Sequence, residues 1–302
     1  MTDSTDVIVV DSYGLSDVGL VRTNNEDSFL IATSNEVSDK NPSELSGVIP
    51  GNGTIFIVAD GMGGAQAGEV ASRMAVDLVA RNFLDALSKT QASDQQALIS
   101  ILTESIEQAN QLIFDEGQKN SGFSGMGTTL TAAIVSGKII FFAQLGDSRA
   151  YLARAGAISQ MTKDQSLVAQ MVDAGSLTPE EAKTHPQRNV ILQALGIRSR
   201  VDVAISSAEL RRGDQIVLCS DGLSGKVDAE EIKEFLERFE PKAACQGLVR
   251  IARERGGEDN ITVIVARFNG DGLIAPQADD VAEPSKPQIE PQRRRSFWPW
   301  RR

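Results

Sequence analysis

Thr54-Ile55-Phe56-Ile57-Val58-Ala59-Asp60-Gly61-Met62-Gly63-Gly64 joins an unbroken apolar run to a carboxylate and a glycine-rich turn. The small and β-branched residues of the run read as a buried strand. A carboxylate at the end of such a strand is costly unless something positive meets it. The chain contains 1 histidine, so a metal held nearby would have little nitrogen ligation. Gly61, Gly63 and Gly64 let the backbone turn sharply and offer carbonyl and amide groups to a ligand. Taken alone, the stretch is also compatible with a plain strand followed by a turn, with Asp60 as a helix N-cap.

Downstream of this strand, Ala67–Ser88 carries Val70, Met74, Val76–Val79, Phe83, Leu84 and Leu87 at helical spacing. Gln95–Gln118 repeats the pattern with Leu98, Ile101, Leu102, Ile106, Ala109, Leu112 and Ile113. Two consecutive amphipathic helices of this length are expected to lie as a pair against a sheet. The texture then changes. Gly127–Val135, Lys138–Leu145, Arg149–Ala153 and Ala157–Met161 are short and β-rich, with turn residues between them, and predict an antiparallel meander. Asp164–Ala174 and Thr178–Thr184 read as short helices, the second with Pro179 in its first turn. Val190–Leu195, Val201–Ser206, Gln215–Cys219 and Ile261–Phe268 read as strands. Asp228–Phe239 and Pro241–Arg255 read as helices, the first capped by Asp228. Upstream, Val18–Arg22 and Ser28–Thr33 read as strands, and the polar Ser34–Gly53 as an exposed hairpin loop. Strands in antiparallel blocks with helix pairs between them predict an α+β fold, two stacked antiparallel sheets with the helix pairs outside.

The 41% hydrophobic content is that of an ordinary soluble domain. No run of about 18 apolar residues suggests a membrane span. Met1–Asp6 lacks a signal-peptide apolar core. Cys219 and Cys245 make neither a disulfide framework nor a zinc site. The expected location is the cytoplasm. A net charge of −11 argues against nucleic acid as a partner. Four regions are expected: an N-terminal tail 1–10, a catalytic domain 11–268, a disordered acidic proline-containing linker 269–292, and a basic tail 293–302. Arg293–Arg302, R-R-R-S-F-W-P-W-R-R, suits peripheral contact with an anionic membrane or docking of a partner, or is a solubilising end. The chain is expected to be a monomer.

Acidic residues recur next to the apolar runs. They lie in Asn25-Glu26-Asp27, Val58-Ala59-Asp60-Gly61, Leu145-Gly146-Asp147-Ser148-Arg149, Cys219-Ser220-Asp221-Gly222-Leu223 and Gly257-Glu258-Asp259-Asn260. Strand ends aligned in sheets share a rim, so these acids can converge. Clustered carboxylates stay protonated without cations. All-oxygen ligation selects Mg2+ or Mn2+ over zinc. Two such ions about 3.5–4 Å apart can share a carboxylate and hold a hydroxide, which equips a site for in-line hydrolysis of a phosphate ester.

From about Tyr13 to Phe268 the motifs R-T-N-N-E-D, V-A-D-G-M-G-G, A-G-E-V-A-S, G-M-G-T-T-L, L-G-D-S-R, L-C-S-D-G-L and G-G-E-D-N-I-T follow one another. In kind and order they resemble those of the metal-dependent protein phosphatases of type 2C, in their bacterial form. The resemblance implies a β-sandwich flanked by helix pairs. It implies hydrolysis of phosphoserine and phosphothreonine by a metal-bridging hydroxide, by direct attack without a phosphoenzyme, on proteins phosphorylated by a serine/threonine kinase that is a possible partner. By the same resemblance Asp60 bridges two Mn2+ or Mg2+ ions, Gly61 gives one of them its carbonyl, and Asp221 and Asp259 ligate the other. Glu26 and Asp27 hold metal-bound waters, and Asp147 with Asp221 holds a third, weaker ion. Asn260 orients Asp259. Arg22, four residues before Glu26, matches the arginine that grips substrate phosphate; otherwise it is a surface residue ending a strand. Arg149 reads as an ion-pair partner of the acidic rim.

Two departures stand out. Relatives that place a histidine after Asp-Gly or after Gly-Met-Gly-Gly contrast with Met62 and Ala65 here. A serine leaving group needs a proton, and the candidates are a metal-bound water and His185. His185 lies in Lys183–Asn189, which matches the mobile flap of bacterial relatives; it is alternatively a loop residue fixed by Pro186. Gly125–Thr129 lacks the lysine of a nucleotide cradle. The rival readings are a non-catalytic phosphoprotein-binding module on the same fold and a hydrolase of another phosphate ester.

Overall fold

The computed structural model describes residues 7–34, 43–49, 52–64, 66–89 and 95–287. The strands are β1 (Val9–Asp17), β2 (Asp27–Thr33), β3 (Glu44–Val48), β4 (Asn52–Met62), β5 (Gly127–Thr128), β6 (Leu130–Ser136), β7 (Ile139–Leu145), β8 (Arg149–Arg154), β9 (Ala157–Gln160), β10 (Ala204–Glu209), β11 (Gln215–Cys219) and β12 (Ile261–Asn269). The helices are α1 (Ala67–Lys89), α2 (Gln95–Lys119), α3 (Leu167–Asp173), α4 (Pro179–Thr184), α5 (Asp221–Ser224), α6 (Ala229–Arg238) and α7 (Pro241–Glu254).

One antiparallel sheet runs β3-β1-β12-β11-β8-β9, the other β10-β7-β6-β4-β2, and β5 pairs with the end of β4. β4 shows why the two stack. Its side chains alternate: Ile55, Ile57 and Ala59 join the apolar layer with α1 and α2, while Phe56 and Val58 join the layer between the sheets. Both faces are therefore buried, as an unbroken apolar run requires. On the outer side of the first sheet, Val217, Val263 and Val265 meet Leu248, Val249 and Ala252 of α7. The result is the expected α-β-β-α arrangement. Leu102 and Ile106 of α2 are fully buried, and each such side chain contributes about 1.5–3 kcal/mol. Asp228 caps α6 in a reciprocal box with Glu231, worth about 1 kcal/mol.

Several expectations differ from the structure. Val18–Arg22 is not a strand; the first strand is β1, ending at Asp17. Leu20 and Val21 are 58% and 64% exposed, so their apolarity reports no buried face. The turn is instead made by Gly19 at φ 81°, whose N–H donates to Asp17 Oδ1 at 2.8 Å. Val190–Leu195 forms isolated bridges only, at Ile191 and Leu195. The expected loop 34–53 contains β3. The N-terminal tail is shorter than 1–10, because Ile8 and Val10 are buried and β1 begins at Val9.

The linker 269–292 is also different as far as it is described. Leu273 and Ala282 are buried, and Ser285 bridges Ser207 of β10. Asp280 accepts from Arg154 Nη1 at 2.9 Å and from Arg211 Nε at 3.0 Å. Arg154 is buried between Asp214 and Asp280, so this segment supplies a counter-charge that the body of the fold requires. Low hydrophobicity concealed these few specific contacts. Ala65, 288–292 and the tail 293–302 lie outside the described residues.

Candidate metal centre

The acids come from both sheets and meet at one rim. Asp27 opens β2 and stands opposite Asp60 in the β2–β4 register. Asp147 lies in the turn between β7 and β8, Asp221 opens α5 directly after β11, and Asp259 precedes β12. Strand β4 does not stop at Asp60. It continues to Met62, because β5 pairs with Gly61 and Met62. Asp60 is therefore held inside a strand rather than at a helix cap. Its N–H donates to Thr129 Oγ1 at 2.9 Å, and its carbonyl accepts from Thr129 N–H at 2.8 Å and Thr128 Oγ1 at 2.9 Å.

Electrostatics shows the convergence. Burial raises the Asp60 carboxyl well above its ordinary value, with Asp27, Asp221, Asp147 and Asp259 adding repulsion. Burial pushes Asp27 up to about 7, against hydrogen bonds from Thr262 and Ser220. Burial, then the charges of Asp221 and Asp164, pushes Asp147 up to about 7. Asp221 is raised by burial and by Asp259. Glu26 is raised mainly by burial, with Arg22 opposing. These are the responses of carboxylates gathered without countercharge.

Side chains that sequence reasoning passed over hold the cluster in place. Ser220 Oγ donates to Asp27 Oδ2 at 2.7 Å. Asn260 acts on Asp259 and also on the Glu26 loop. Its backbone N–H donates to Asp259 Oδ1 at 2.9 Å, but its side chain accepts from Glu26 N–H at 2.8 Å and donates to the carbonyls of Val18 and Asn24. It thereby pins the loop that carries Arg22 and Glu26. The only sequence signal for these roles was adjacency to an acid. Gly61 and Gly68 are needed for contact: a Cβ on Gly61 would stand 2.3 Å from the Gly68 carbonyl oxygen, and one on Gly68 would stand 2.0 Å from Glu26 Oε2. The start of α1 thus sits directly against Glu26 and Gly61.

Arg22 reaches the same rim. Its Nη2 donates to Asp259 Oδ2 at 2.9 Å, with the two side chains 51% and 39% exposed. Arg149 is engaged elsewhere, with Nε and Nη2 gripping Asp164 at 2.7–3.0 Å. His185 is not brought into the cluster by any hydrogen bond among the described residues. It caps the end of α4, and its Nδ1 accepts from Gln187 N–H at 3.2 Å.

The donor set fits hard divalent cations. Asp27 Oδ1 and Asp147 Oδ1 are buried oxygens without a hydrogen-bond partner, and the acids that interact with them, Asp60, Asp221 and Asp259, offer further oxygen ligands. The acids do not yet form a closed cage: among the described residues no three His, Cys, Asp or Glu side chains stand as a ready cation-holding group. No helix among the described residues is long and apolar enough to cross a membrane.

Residues 44–254 match the family model described as Protein phosphatase 2C. The chain is 38% identical over 253 residues to serine/threonine protein phosphatase PstP of Mycobacterium tuberculosis, covering 83% of this chain and 43% of that protein. It is 36% identical over 256 residues to serine/threonine phosphatase stp of Listeria innocua, covering 84% of this chain and 94% of that protein. The crystal structure of the catalytic domain of PstP in complex with two manganese ions superposes with a TM-score of 0.71 at 35% identity, covering 87% of this chain and 99% of that one. With the family motifs, the sandwich and the convergent acids all in agreement, the chain belongs to the protein phosphatase 2C family.

Proposed function

We propose that this protein hydrolyses phosphoserine and phosphothreonine in protein substrates at the carboxylate rim, loaded with Mn2+ or Mg2+. The observation that carries the proposal is the gathering of the buried Asp27 and Asp147 with the half-buried Asp60 and Asp221 into one mutually repelling cluster. Divalent ions held there would supply charge neutralisation and an activated water for in-line hydrolysis of the phosphate ester, without a phosphoenzyme. Asp60 would be the shared ligand, Gly61, Asp221 and Asp259 would complete the pair of sites, and Glu26 and Asp27 would hold their hydration. Asp147 with Asp221 offers a third, weaker position. Thr128 and Thr129 fix the Asp60 backbone, Ser220 orients Asp27, and Asn260 holds the Glu26 loop. The experiment is phosphopeptide turnover with Mn2+ and with EDTA. Metal-dependent release of phosphate supports the proposal. Phosphopeptide binding without turnover would favour a non-catalytic module, and turnover of small phosphate esters alone another hydrolase.

Arg22 is the phosphate grip. A phosphate dianion is a stronger partner for an exposed guanidinium than a carboxylate already shared with a cation. Arg22→Ala is expected to lower kcat/KM on phosphopeptides by about 100-fold, mainly through KM, and Arg22→Lys to recover only part of it. Unchanged KM in Arg22→Ala would remove the assignment.

His185 is already occupied by its local hydrogen bond. His185→Ala is expected to change turnover of phosphopeptide and p-nitrophenyl phosphate alike, by less than about threefold. A loss confined to the phosphopeptide, whose leaving group needs a proton, would restore the general-acid role. The kinase that supplies the phosphorylated substrate is the natural regulatory counterpart in this scheme.

A further inference from the structure

Leu20 is exposed on a loop that is tied down on all sides. Gly19 N–H donates to Asp17 Oδ1 at 2.8 Å, and Leu20 N–H donates to the Gly257 carbonyl at 2.7 Å. Asn260 Nδ2 donates to the carbonyls of Val18 and Asn24 at 3.0 and 2.9 Å, one at each end of the loop. The fit against the segment before β12 is close. A Cβ on Gly19 would stand 2.3 Å from the Asp259 carbonyl oxygen, and one on Gly257 would stand 3.1 Å from Leu20 Cγ. The loop cannot fold its apolar side chain inward, so Leu20 leaves water only when something covers it.

Beside Leu20 lies a groove of about 440 Å³ between the end of β1 and α7. Leu15, Leu20 and Val249 give it apolar surface, and Gln246 also lines it. The four charged residues around it balance one another. Arg253 Nη1 donates to Asp17 Oδ2 at 2.8 Å, and Arg250 faces Glu254 at 3.9 Å. The groove therefore has the size of a ligand cleft and no net charge with which to select an acidic or a basic group.

The same loop carries Arg22, which reaches Asp259 at the acidic rim. Leu20 and Arg22 are two residues apart, so their Cα atoms lie within about 7 Å of each other. Residues 20–24 are all exposed. A peptide whose phosphate sits at Arg22 can thus run over Leu20 toward α7. Two to four of its residues span about 7–14 Å, enough to bring a neighbouring side chain from the phosphate grip into the groove.

We infer that the groove between β1 and α7 is a specificity subsite that takes an apolar side chain of the phosphoprotein substrate, two to four residues from the phosphorylated one. The inference rests on the proposed hydrolysis, with Arg22 as the phosphate grip, and it names the substrate class of that same site. The preferred substrates carry Leu, Ile, Met or Phe at that distance from the phosphoresidue. Leu20 and Val249 meet the incoming side chain, and the joint removal of apolar surface from water supplies the selectivity. The groove needs no contact with a cation.

The test is turnover, by the full chain with MnCl2, of phosphothreonine peptides flanked by alanines except for one leucine. The leucine is moved from four residues before the phosphothreonine to four after it. At one or two positions, at least two residues away, leucine is expected to raise kcat/KM about tenfold over the all-alanine peptide, mainly through KM. Leu20→Ser removes apolar surface, and Gln246→Trp places bulk in the groove from α7. Each is expected to reduce the leucine gain to less than about twofold. Thermal melts report whether each variant is folded, and p-nitrophenyl phosphate, which has no side chain for the groove, reports whether its rim is intact. Equal kcat/KM for every peptide with the wild type overturns the inference and leaves the proposed function standing, as does a leucine gain that survives in both variants. Equal rates together with self-association that Gln246→Trp abolishes would assign the groove to a second copy of the chain and overturn the inference too. Absence of turnover of all the peptides would overturn the proposed function itself.

Discussion

Asp60→Asn should lose about 10³-fold or more in Mn2+-dependent kcat/KM on a phosphopeptide while the metal-free protein becomes more stable. The two effects have one cause. Asp60, half-buried at the rim, lies beside Asp27, Asp221, Asp147 and Asp259, and all four oppose its charge. Asparagine keeps the shape of the side chain and removes one member of the repelling set. The contacts that hold the strand are made by the Asp60 backbone to Thr128 and Thr129, so they survive. The metal-free melting temperature should rise by a few degrees at pH 8, and the Mn2+-induced rise seen in the wild type should disappear. Parallel thermal melts and phosphate-release assays measure both. A variant retaining more than about a tenth of wild-type activity with Mn2+, or wild-type activity persisting in EDTA, contradicts the assignment of Asp60 as shared ligand.

The metal-free protein should also lose stability as the pH rises from 5 to 8. Asp27 and Asp147 are pushed up to about 7 in the fold, above the ordinary 3.8. Between those values the folded state keeps protons that the unfolded chain releases. The stability they contribute is fully present below about pH 4 and is lost as the pH passes through 7. Carboxylates lowered by ion pairs or caps, such as Glu231, brought to about 2 chiefly by Arg255, act in the opposite sense, but their contribution is complete before pH 5. Melting in EDTA should therefore fall by about 5–10 °C between pH 5 and pH 8. Mn2+ should raise the melting temperature more at pH 8 than at pH 5, because protons and cations compete for the same oxygens. A flat or rising profile in EDTA would mean that these carboxylates are not buried together.

The fold was legible in the sequence wherever burial left a periodic trace. β4, α1, α2, β6 to β8, β11 and β12 show in the apolar pattern because each buries a full face. The failures occur where apolarity and burial part company. Leu20 and Val21 are apolar yet exposed on a turn. The segment 269–287 is polar yet fixed by Asp280, Leu273 and Ser285. A handful of specific contacts leaves no periodic signature.

By itself the sequence determined the alternation of antiparallel strands and paired helices, and which acids adjoin the apolar runs, because side-chain periodicity and turn chemistry are local properties. Only the tertiary structure decided that Asp27 faces Asp60 across a strand pair and that Asn260 holds the Glu26 loop. Those relations join residues far apart in the chain or in different elements. Register, close approach and hydrogen-bond direction fix them, and none of these exists until the strands have paired and the elements have packed.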